Sequence, residues 1–217
     1  MPDIRITGDG SHTLFDAHTG EHYHSTFGAV TESKHIFIEN GISKVEKDSI
    51  TVFEAGFGTG LNAYITLLWA RENKKNVHYT TIELFPVNPD EIPKLNYPEI
   101  LGGSQELFNA MHKTEWGSET LIDEGFLLTR IKGDIRNIPL MPMQDIVYYD
   151  AFSPSVQPEL WTENIFGQMN KILNRGGILV SYCVRGTVKQ ALRSNGFKVK
   201  VLAGPPGKRH MLYAVKL

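Results

Sequence analysis

Short runs of apolar and β-branched residues alternate with segments of helical periodicity from residue 51 onward. Leu61, Ile65 and Leu68 recur at helical spacing directly after the first of these runs. Such alternation predicts an α/β fold in which parallel strands are connected by helices. The first five predicted strands of this part of the chain cover residues 51–55, 77–84, 126–131, 146–149 and 178–182.

The last part of the chain breaks this alternation. Two predicted strands, at 197–202 and 211–216, follow a short predicted helix and are separated by a glycine- and proline-rich turn. The turn is too short for a crossover helix, so these strands must pair antiparallel. The pattern therefore predicts a mostly parallel, seven-stranded sheet with an antiparallel C-terminal hairpin, an ending typical of the methyltransferase variant of the Rossmann-like fold.

The N-terminal residues follow a different pattern. Residues 4–15 predict a small hairpin with its turn at residues 8–10, and residues 21–42 predict irregular structure and a helix ending near Gly41. We expect one domain over residues 1–217, with an N-terminal extension at 1–45 and a Rossmann-like core at 50–217. The pattern of residues 86–125, which include several prolines, predicts no definite order of elements.

A glycine-rich loop connects the first core strand to its helix. Residues 54–60 read EAGFGTG, in which the third glycine comes one residue too early for a dinucleotide fingerprint. This E-x-G-x-G-x-G form resembles motif I of class I methyltransferases. The resemblance implies that Gly56, Gly58 and Gly60 wrap the methionine part of S-adenosyl-L-methionine, with Glu54 near its amino group. The alternative is a strand–helix turn without a ligand.

Two further acids stand where that resemblance requires them. Glu83 ends the second core strand, where a carboxylate can accept hydrogen bonds from both ribose hydroxyls. Asp134 follows the third strand and would face the adenine amino group. Taken alone, either acid is better explained as a solvated strand-end residue, whereas Glu54, Glu83 and Asp134 together, in the correct order, are hard to assign to chance. The expected cofactor contacts also include Tyr23, Ser25 and Asn62.

Asp150 follows the fourth strand and is the predicted catalytic residue. Ligands of open α/β sheets bind beyond the carboxyl ends of the strands, so Asp150 should enter the active site and also lie beside the cofactor. There it could hold an acceptor amine and take up its proton. Phe152 could stack on a base or close over the cofactor. The alternative for Asp150 is a turn-capping role.

Three segments sharpen the resemblance. Residues 150–161 read DAFSPSVQPELW, residues 204–212 read GPPGKRHML, and residues 21–38 contain EHYHSTFGAVTES and HIFI. Together they resemble the bacterial MnmC/MnmD family, which methylates 5-aminomethyl-2-thiouridine at the tRNA wobble position. The resemblance implies the methyltransferase reaction alone, with no FAD. It also implies that His24 and Phe152 lie near the substrate.

Charge is distributed unevenly along the chain. Residues 171–217 contain ten Lys or Arg and no Asp or Glu, although the whole chain has a net charge of −2. Such asymmetry indicates either a surface that meets a polyanion or simply solvated outer faces. The resemblance favours a surface for the tRNA anticodon stem-loop. Its candidates are Arg185, Lys189, Arg193, Lys198, Lys200, Lys208 and Arg209, with Lys208 and Arg209 as a clamp on the hairpin turn.

Several classes of protein are not expected. Cys183 is the only cysteine, which suits a reducing cytoplasm, and neither a signal peptide nor a membrane-spanning segment is predicted. His22 and His24 lack the further ligands of a metal site. Two alternatives stay open: a small-molecule amine methyl- or aminopropyltransferase of the same fold, and a non-catalytic RNA-binding protein.

Overall fold

The computed structural model describes residues 3–17 and 19–217, so residues 1, 2 and 18 of the predicted domain lie outside the described residues. The N-terminal hairpin is confirmed and gains a third strand. Its antiparallel sheet consists of β1 (Asp3–Ile6), β2 (His12–Asp16) and β3 (Glu21–His22). The predicted helix is α1 (Ala29–Ser33), which continues as a π-helix over Lys34–Glu39.

Eight strands form the main sheet of the described residues. In chain order they are β4 (Ser49–Ala55), β5 (Asn76–Glu83), β6 (Glu119–Asp123), β7 (Phe126–Lys132), β8 (Gln144–Tyr149), β9 (Leu173–Ser181), β10 (Phe197–Ala203) and β11 (His210–Lys216). Their spatial order is β10-β11-β9-β8-β4-β5-β7-β6. The neighbours from β9 to β7 are parallel, whereas β6, β10 and β11 pair antiparallel. The predicted C-terminal hairpin is therefore confirmed.

The predicted number of seven strands is wrong because β6 was missed. This five-residue strand lies at the sheet edge and pairs only with β7, to which it is joined by a tight turn at Gly125. An edge strand needs few buried side chains, and Leu121 in its centre is 65% exposed. Its apolar pattern is therefore too weak to stand out among the prolines and short helices of residues 86–125.

Helices cover both faces of the sheet. They are α2 (Leu61–Asn73), α3 (Tyr97–Leu101), α4 (Gln105–Lys113), α5 (Glu163–Ile172) and α6 (Gly186–Ser194). One apolar cluster joins α1 to α4 to the sheet through Val52 and Tyr148, and a second joins α5 and α6 to it through Phe53 and Tyr149. Successive strand residues thus face opposite layers.

The order of the strands creates a switch point at β4. The chain passes from β4 to β5 on one side, and later returns to β8 on the other side. Crevices outside the carboxyl ends of the strands at such a point are the usual ligand sites of open α/β sheets. The residues that follow β4, β5, β7 and β8 therefore meet at one end of the sheet.

Asp9 connects the N-terminal sheet to α1. Its carboxylate accepts hydrogen bonds from the backbone N–H and the hydroxyl of Thr31, each at 2.8 Å, and also from Thr7 and Ser11. Burial raises the pKa of Asp9, but the bonds from Ser11, Thr31 and Thr7 outweigh it and hold the pKa below its usual value. The charged form is thus the stabilising one.

We expect Asp9→Ala to lower the free energy of unfolding by about 1–3 kcal/mol at pH 7, because buried donors lose their acceptor. Since the folded-state pKa is depressed, the stabilisation is complete well above the unfolded value of about 3.9 and declines progressively as the pH falls from there toward the lower folded-state pKa. Urea unfolding at pH 7 and at pH 3.5 measures this. An equal deficit at both pH values would contradict the role of the charge.

Candidate active site

A cavity of about 1250 Å³ opens at the carboxyl ends of the parallel strands. Its walls come from residues 19–27, the glycine loop, the ends of β5, β7 and β8, and the turn before β11. Most of the predicted site residues meet here. Those that line the cavity are Tyr23, His24, Ser25, Gly56, Gly58, Glu83, Asp134, Asp150, Phe152 and Lys208.

The glycine loop brings its backbone close to both walls of the cavity. Gly56 and Gly58 have φ values of +92° and +51°, in the region that favours glycine. A Cβ atom on Gly58 would lie 3.0 Å from Cδ1 of Tyr23, and one on Gly56 would lie 3.1 Å from the carbonyl oxygen of Asp150. Gly60, by contrast, is the N-cap of α2 and packs against His112 outside the cavity lining.

Glu83 holds the loop from the next strand. One carboxylate oxygen accepts a hydrogen bond from the Gly58 N–H at 3.0 Å, and the other accepts one from the Phe85 N–H at 2.9 Å. Burial raises the pKa of Glu83, although these hydrogen bonds act to lower it. A carboxylate oxygen can accept more than one hydrogen bond, so Glu83 can also receive ligand hydroxyls.

Asp134 lines the cavity as the N-cap of the 3-10 turn Ile135–Asn137. Arg136 pairs with both of its carboxylate oxygens and lowers the pKa of Asp134. Asp134 is therefore a charged acceptor at the cavity wall.

Asp150 stands directly after β8, beside the glycine loop. Its N–H donates to the Ala55 carbonyl at 3.1 Å, and its Oδ2 accepts a hydrogen bond from Asn62 Nδ2 at 2.7 Å. Burial raises the pKa of Asp150 to about 7, with a further contribution from the charge of Glu32. The side chain thus bonds to the neighbouring helix, and its carboxyl is poised to exchange a proton near neutral pH.

Lys208 lines the cavity, where it forms an ion pair that the sequence pattern does not predict. Its Nζ lies 2.6 Å from Glu32 Oε2 and 4.5 Å from the centre of the Tyr182 ring. The role of Lys208 and Arg209 as a clamp on the hairpin turn stays a prediction, and in the structure the charge of Lys208 is paired with Glu32 at the cavity lining. Glu32 belongs to the family-like segment at 21–33, and that membership was the only available signal for it.

The segment after Asp150 is anchored to the N-terminal sheet. Glu21, a second acid of the family-like segment, accepts hydrogen bonds from the N–H and hydroxyl of Ser153. Trp161 Nε1 donates to the Phe152 carbonyl at 2.8 Å. The ring of Phe152 meets that of Tyr23 edge-on, with centroids 5.2 Å apart. These contacts hold an aromatic pair in the cavity.

His24 is a neutral lining residue. Its Nε2 lies 2.7 Å from Thr59 Oγ1, and burial, together with the charge of Lys208, lowers the pKa of His24 to about 4. Across residues 3–17 and 19–217, no three His, Cys, Asp or Glu side chains cluster in a way that could hold a metal ion. Over the same residues no helix combines the length and apolarity needed to cross a membrane.

Five of the predicted site residues do not line the cavity: Glu54, Gly60, Asn62, Arg185 and Arg209. Glu54 is fully buried beneath the loop, and Asn62 acts from α2 through its bond to Asp150. Arg185 reaches the rim, where it donates a hydrogen bond to Ser155. Arg209 is exposed on the turn between β10 and β11.

The chemistry of the cavity fits S-adenosyl-L-methionine. The Cβ-free backbone at Gly56 and Gly58 leaves room for close approach, and Glu83 and Asp134 supply acceptors for hydroxyl and amino groups. The volume exceeds the roughly 300–1000 Å³ of an ordinary small-molecule pocket, which leaves space for a second group beside the cofactor.

Comparison with known proteins agrees with this geometry. Residues 105–217, more than half of the chain, match the family model of an S-adenosyl-L-methionine-dependent methyltransferase. The chain belongs to this family. The predicted enzyme class, cofactor and fold are therefore confirmed.

Individual relatives extend the similarity beyond the matched half. The MnmC proteins of Methylobacillus flagellatus and Paracidovorax citrulli, named as tRNA 5-methylaminomethyl-2-thiouridine biosynthesis bifunctional proteins, are 29% and 32% identical over 91% and 93% of this chain. The chain spans about a third of their length, 33% and 34%. The crystal structure of MnmC2 from Aquifex aeolicus is 29% identical, with a TM-score of 0.80 over 99% of this chain and 69% of that chain. The resemblance to the MnmC/MnmD family is confirmed.

We expect Gly58→Ala to weaken S-adenosyl-L-methionine binding at least about tenfold. A left-handed φ disfavours alanine by roughly 1–2 kcal/mol, and the added Cβ would press on Tyr23. Gly102→Ala is the matched control, because Gly102 also has a positive φ but its Cβ would meet nothing within 4 Å. Titration calorimetry should show a loss of affinity only for the Gly58 variant. Equal affinities would show that the loop does not bind the cofactor.

Proposed function

We propose that this chain methylates the amine of 5-aminomethyl-2-thiouridine at the tRNA wobble position to give 5-methylaminomethyl-2-thiouridine. The observation that carries the proposal is a half-buried carboxylate that lines the cavity, Asp150, with a pKa of about 7 beside the glycine loop of a methyltransferase. An N-methyltransferase needs an acceptor at this position, because the amine must lose a proton as the new bond forms. The names of the MnmC relatives support the choice of substrate.

The residues of the cavity suit this reaction. When bound, S-adenosyl-L-methionine supplies an electrophilic methyl group on its sulfonium sulfur. Asp150 accepts N–H hydrogen bonds from the substrate and directs the nitrogen lone pair at that methyl group. When S-adenosyl-L-methionine is bound, methyl transfer would form the nitrogen–carbon bond as the carbon–sulfur bond breaks, and the Asp150 carboxylate would accept the amine proton that is released. Glu32 holds the ammonium of Lys208 nearby.

The cavity also has room and surface for a base. Tyr23 and Phe152 present their rings inside it, and Phe27 at its lining is 63% exposed. The ring of Phe27 rests on Gly207, whose absent Cβ would otherwise lie 2.3 Å from it. Unpaired loop bases are commonly recognised by stacking on such rings once they leave the stack of their neighbours.

The basic edge of the sheet supports tRNA as the partner. β10 is an edge strand that carries exposed Lys198 and Lys200 and leads to the turn with exposed Arg209. Its carboxyl end lies at the same end of the sheet as Asp150, because β10 runs parallel to β9 through β11. We infer that the anticodon stem-loop crosses this edge, with its phosphates near these cations.

A small-molecule amine transferase remains the alternative, and the basic edge distinguishes it. Substrate binding to such an enzyme would respond little to salt, whereas a tRNA contacting several cations is released steeply as salt rises. A nearly flat salt dependence of tRNA affinity between 50 and about 200 mM salt would favour the small-molecule alternative.

For Asp150→Ala, we expect turnover to fall by about 10²–10⁴-fold while the dissociation constant for S-adenosyl-L-methionine stays within about threefold. The reason is that the carboxylate acts on the amine and not on the cofactor. The measurement is transfer of labelled methyl groups to tRNA that carries the unmethylated base, beside calorimetry of cofactor binding. Turnover retained in this variant would refute the role of Asp150.

The pH profile of turnover should reveal Asp150. Only the ionised carboxylate accepts the proton, so turnover should rise with pH through about 7. The charge of Glu32 raises the pKa of Asp150, whereas Lys208 lowers it. Glu32→Gln removes the charge that raises the pKa of Asp150 and leaves the charge of Lys208, which lowers it, without its partner. The midpoint of the pH profile should therefore move to lower pH. An unchanged or higher midpoint in kcat profiles would contradict this electrostatic arrangement.

A further inference from the structure

The carboxyl group of Glu54 lies in a buried position where no hydrogen bond from the described residues stabilises a negative charge. The residue has no exposed surface, and neither carboxylate oxygen has a hydrogen-bond partner within the described part of the chain. It also stands outside the lining of the cavity. Motif I of class I methyltransferases led us to expect this acid near the cofactor amino group, so its position calls for a different explanation.

The neighbours of Glu54 form a buried polar cluster. In the sheet register Glu54 pairs with Thr81 of β5 and Tyr148 of β8, and Tyr79 shares the face of Thr81 two residues earlier. The side chains of Thr81, Asn62 and Tyr79 act on the Glu54 carboxyl, and each carries a buried atom without a hydrogen-bond partner in the described residues: Thr81 Oγ1, Asn62 Oδ1 and Tyr79 OH. Unpaired atoms of this kind are rare in native interiors and require an explanation.

The protonation state of Glu54 decides whether this cluster can pair. An ionised carboxylate only accepts hydrogen bonds, so it could serve the two hydroxyls but not the oxygen of Asn62. A protonated carboxyl accepts from the hydroxyls and donates its own proton to Asn62 Oδ1. Burial, followed by the charge of Asp150, raises the pKa of Glu54 well above its usual value, and the two outweigh the opposite effect of the Thr81, Asn62 and Tyr79 side chains. The neutral form therefore satisfies all of the groups.

We propose that Glu54 is a neutral positioning residue, whose protonated carboxyl fixes the Asn62 side chain so that its Nδ2 points at Asp150. The 2.7 Å bond from Asn62 to Asp150 is the part of this chain of contacts that reaches the cavity. The inference rests on the proposed function in one respect, the role of Asp150 as proton acceptor.

Three variants test the proposal: Glu54→Gln, Glu54→Leu and Asn62→Ala. Gln can donate to Asn62 as the neutral acid does, so kcat should stay within about threefold of the wild type. Leu and the Asn62 variant should each lower kcat by about 10–100-fold, with little change in KM for tRNA. The Leu/Ala double variant should be no worse than either single variant, because both changes interrupt one chain of contacts.

The pH profile distinguishes positioning from general damage. The bond from Asn62 lowers the pKa of Asp150, so its loss should move the midpoint of the kcat profile to higher pH in Asn62→Ala and Glu54→Leu. The midpoint should stay unchanged in Glu54→Gln. A lower midpoint in Glu54→Gln would mean that Glu54 is ionised, which overturns the proposal.

Two further readouts do not depend on activity. The affinity for S-adenosylhomocysteine should be unchanged in Glu54→Gln, and a loss of about tenfold or more would instead make Glu54 an anionic cofactor ligand. The gain in Tm of this variant over the wild type should grow from pH 5 to pH 8, because a carboxyl with a raised folded-state pKa destabilises the fold increasingly above its unfolded value of about 4.3.

The pH dependence of the Tm difference between Glu54→Gln and the wild type reports on Glu54 alone. The other titratable groups facing Glu54, namely Tyr79, Tyr148 and Asp150, are the same in both proteins. A pH-independent Tm difference would overturn the proposal. If the wild type failed to methylate tRNA, the proposed function would fall, whereas the binding and Tm readouts would still decide the state of Glu54.

Discussion

Burial of the Asp150 carboxyl is opposed by one short hydrogen bond, and the arrangement of the site depends on that balance. Burial disfavours the charged form, whereas the 2.7 Å bond from Asn62 favours it, so the pKa settles at about 7. Full burial without the amide would leave the carboxyl protonated, and exposure would leave it a weak base. The carboxyl is thus suited to accept a proton from an amine at neutral pH.

The fold creates this balance from residues that are distant in sequence. The switch point at β4 brings the glycine loop beside the end of β8, and Gly60 is the N-cap of α2 so that Asn62 lies in its first turn. The N-terminal segment then closes the opposite wall, with Glu32 paired to Lys208 and Glu21 bound to Ser153. Each wall of the cavity therefore depends on a contact between segments that are distant in the sequence.

Local sequence patterns predicted the elements that depend on residues close together in the sequence. The central strands are buried on both faces, as β8 is along its whole length, so they read as continuous apolar runs. The glycine loop and Asp150 could be placed because strand ends converge at one edge of the sheet. The orientation of the Lys208 side chain could not be predicted, since it depends on Glu32, 176 positions earlier in the sequence. The edge strand β6 was missed because none of its five side chains is fully buried.

The most direct test of the account is transfer of labelled methyl groups to bulk tRNA from a strain that lacks this activity, followed by nucleoside analysis. The account predicts label in 5-methylaminomethyl-2-thiouridine, because the cavity combines a methyltransferase loop with an acceptor for an amine proton and space for a base. Label absent from tRNA, in a protein that still binds S-adenosyl-L-methionine, would contradict the proposed substrate and leave the fold and cofactor unaffected.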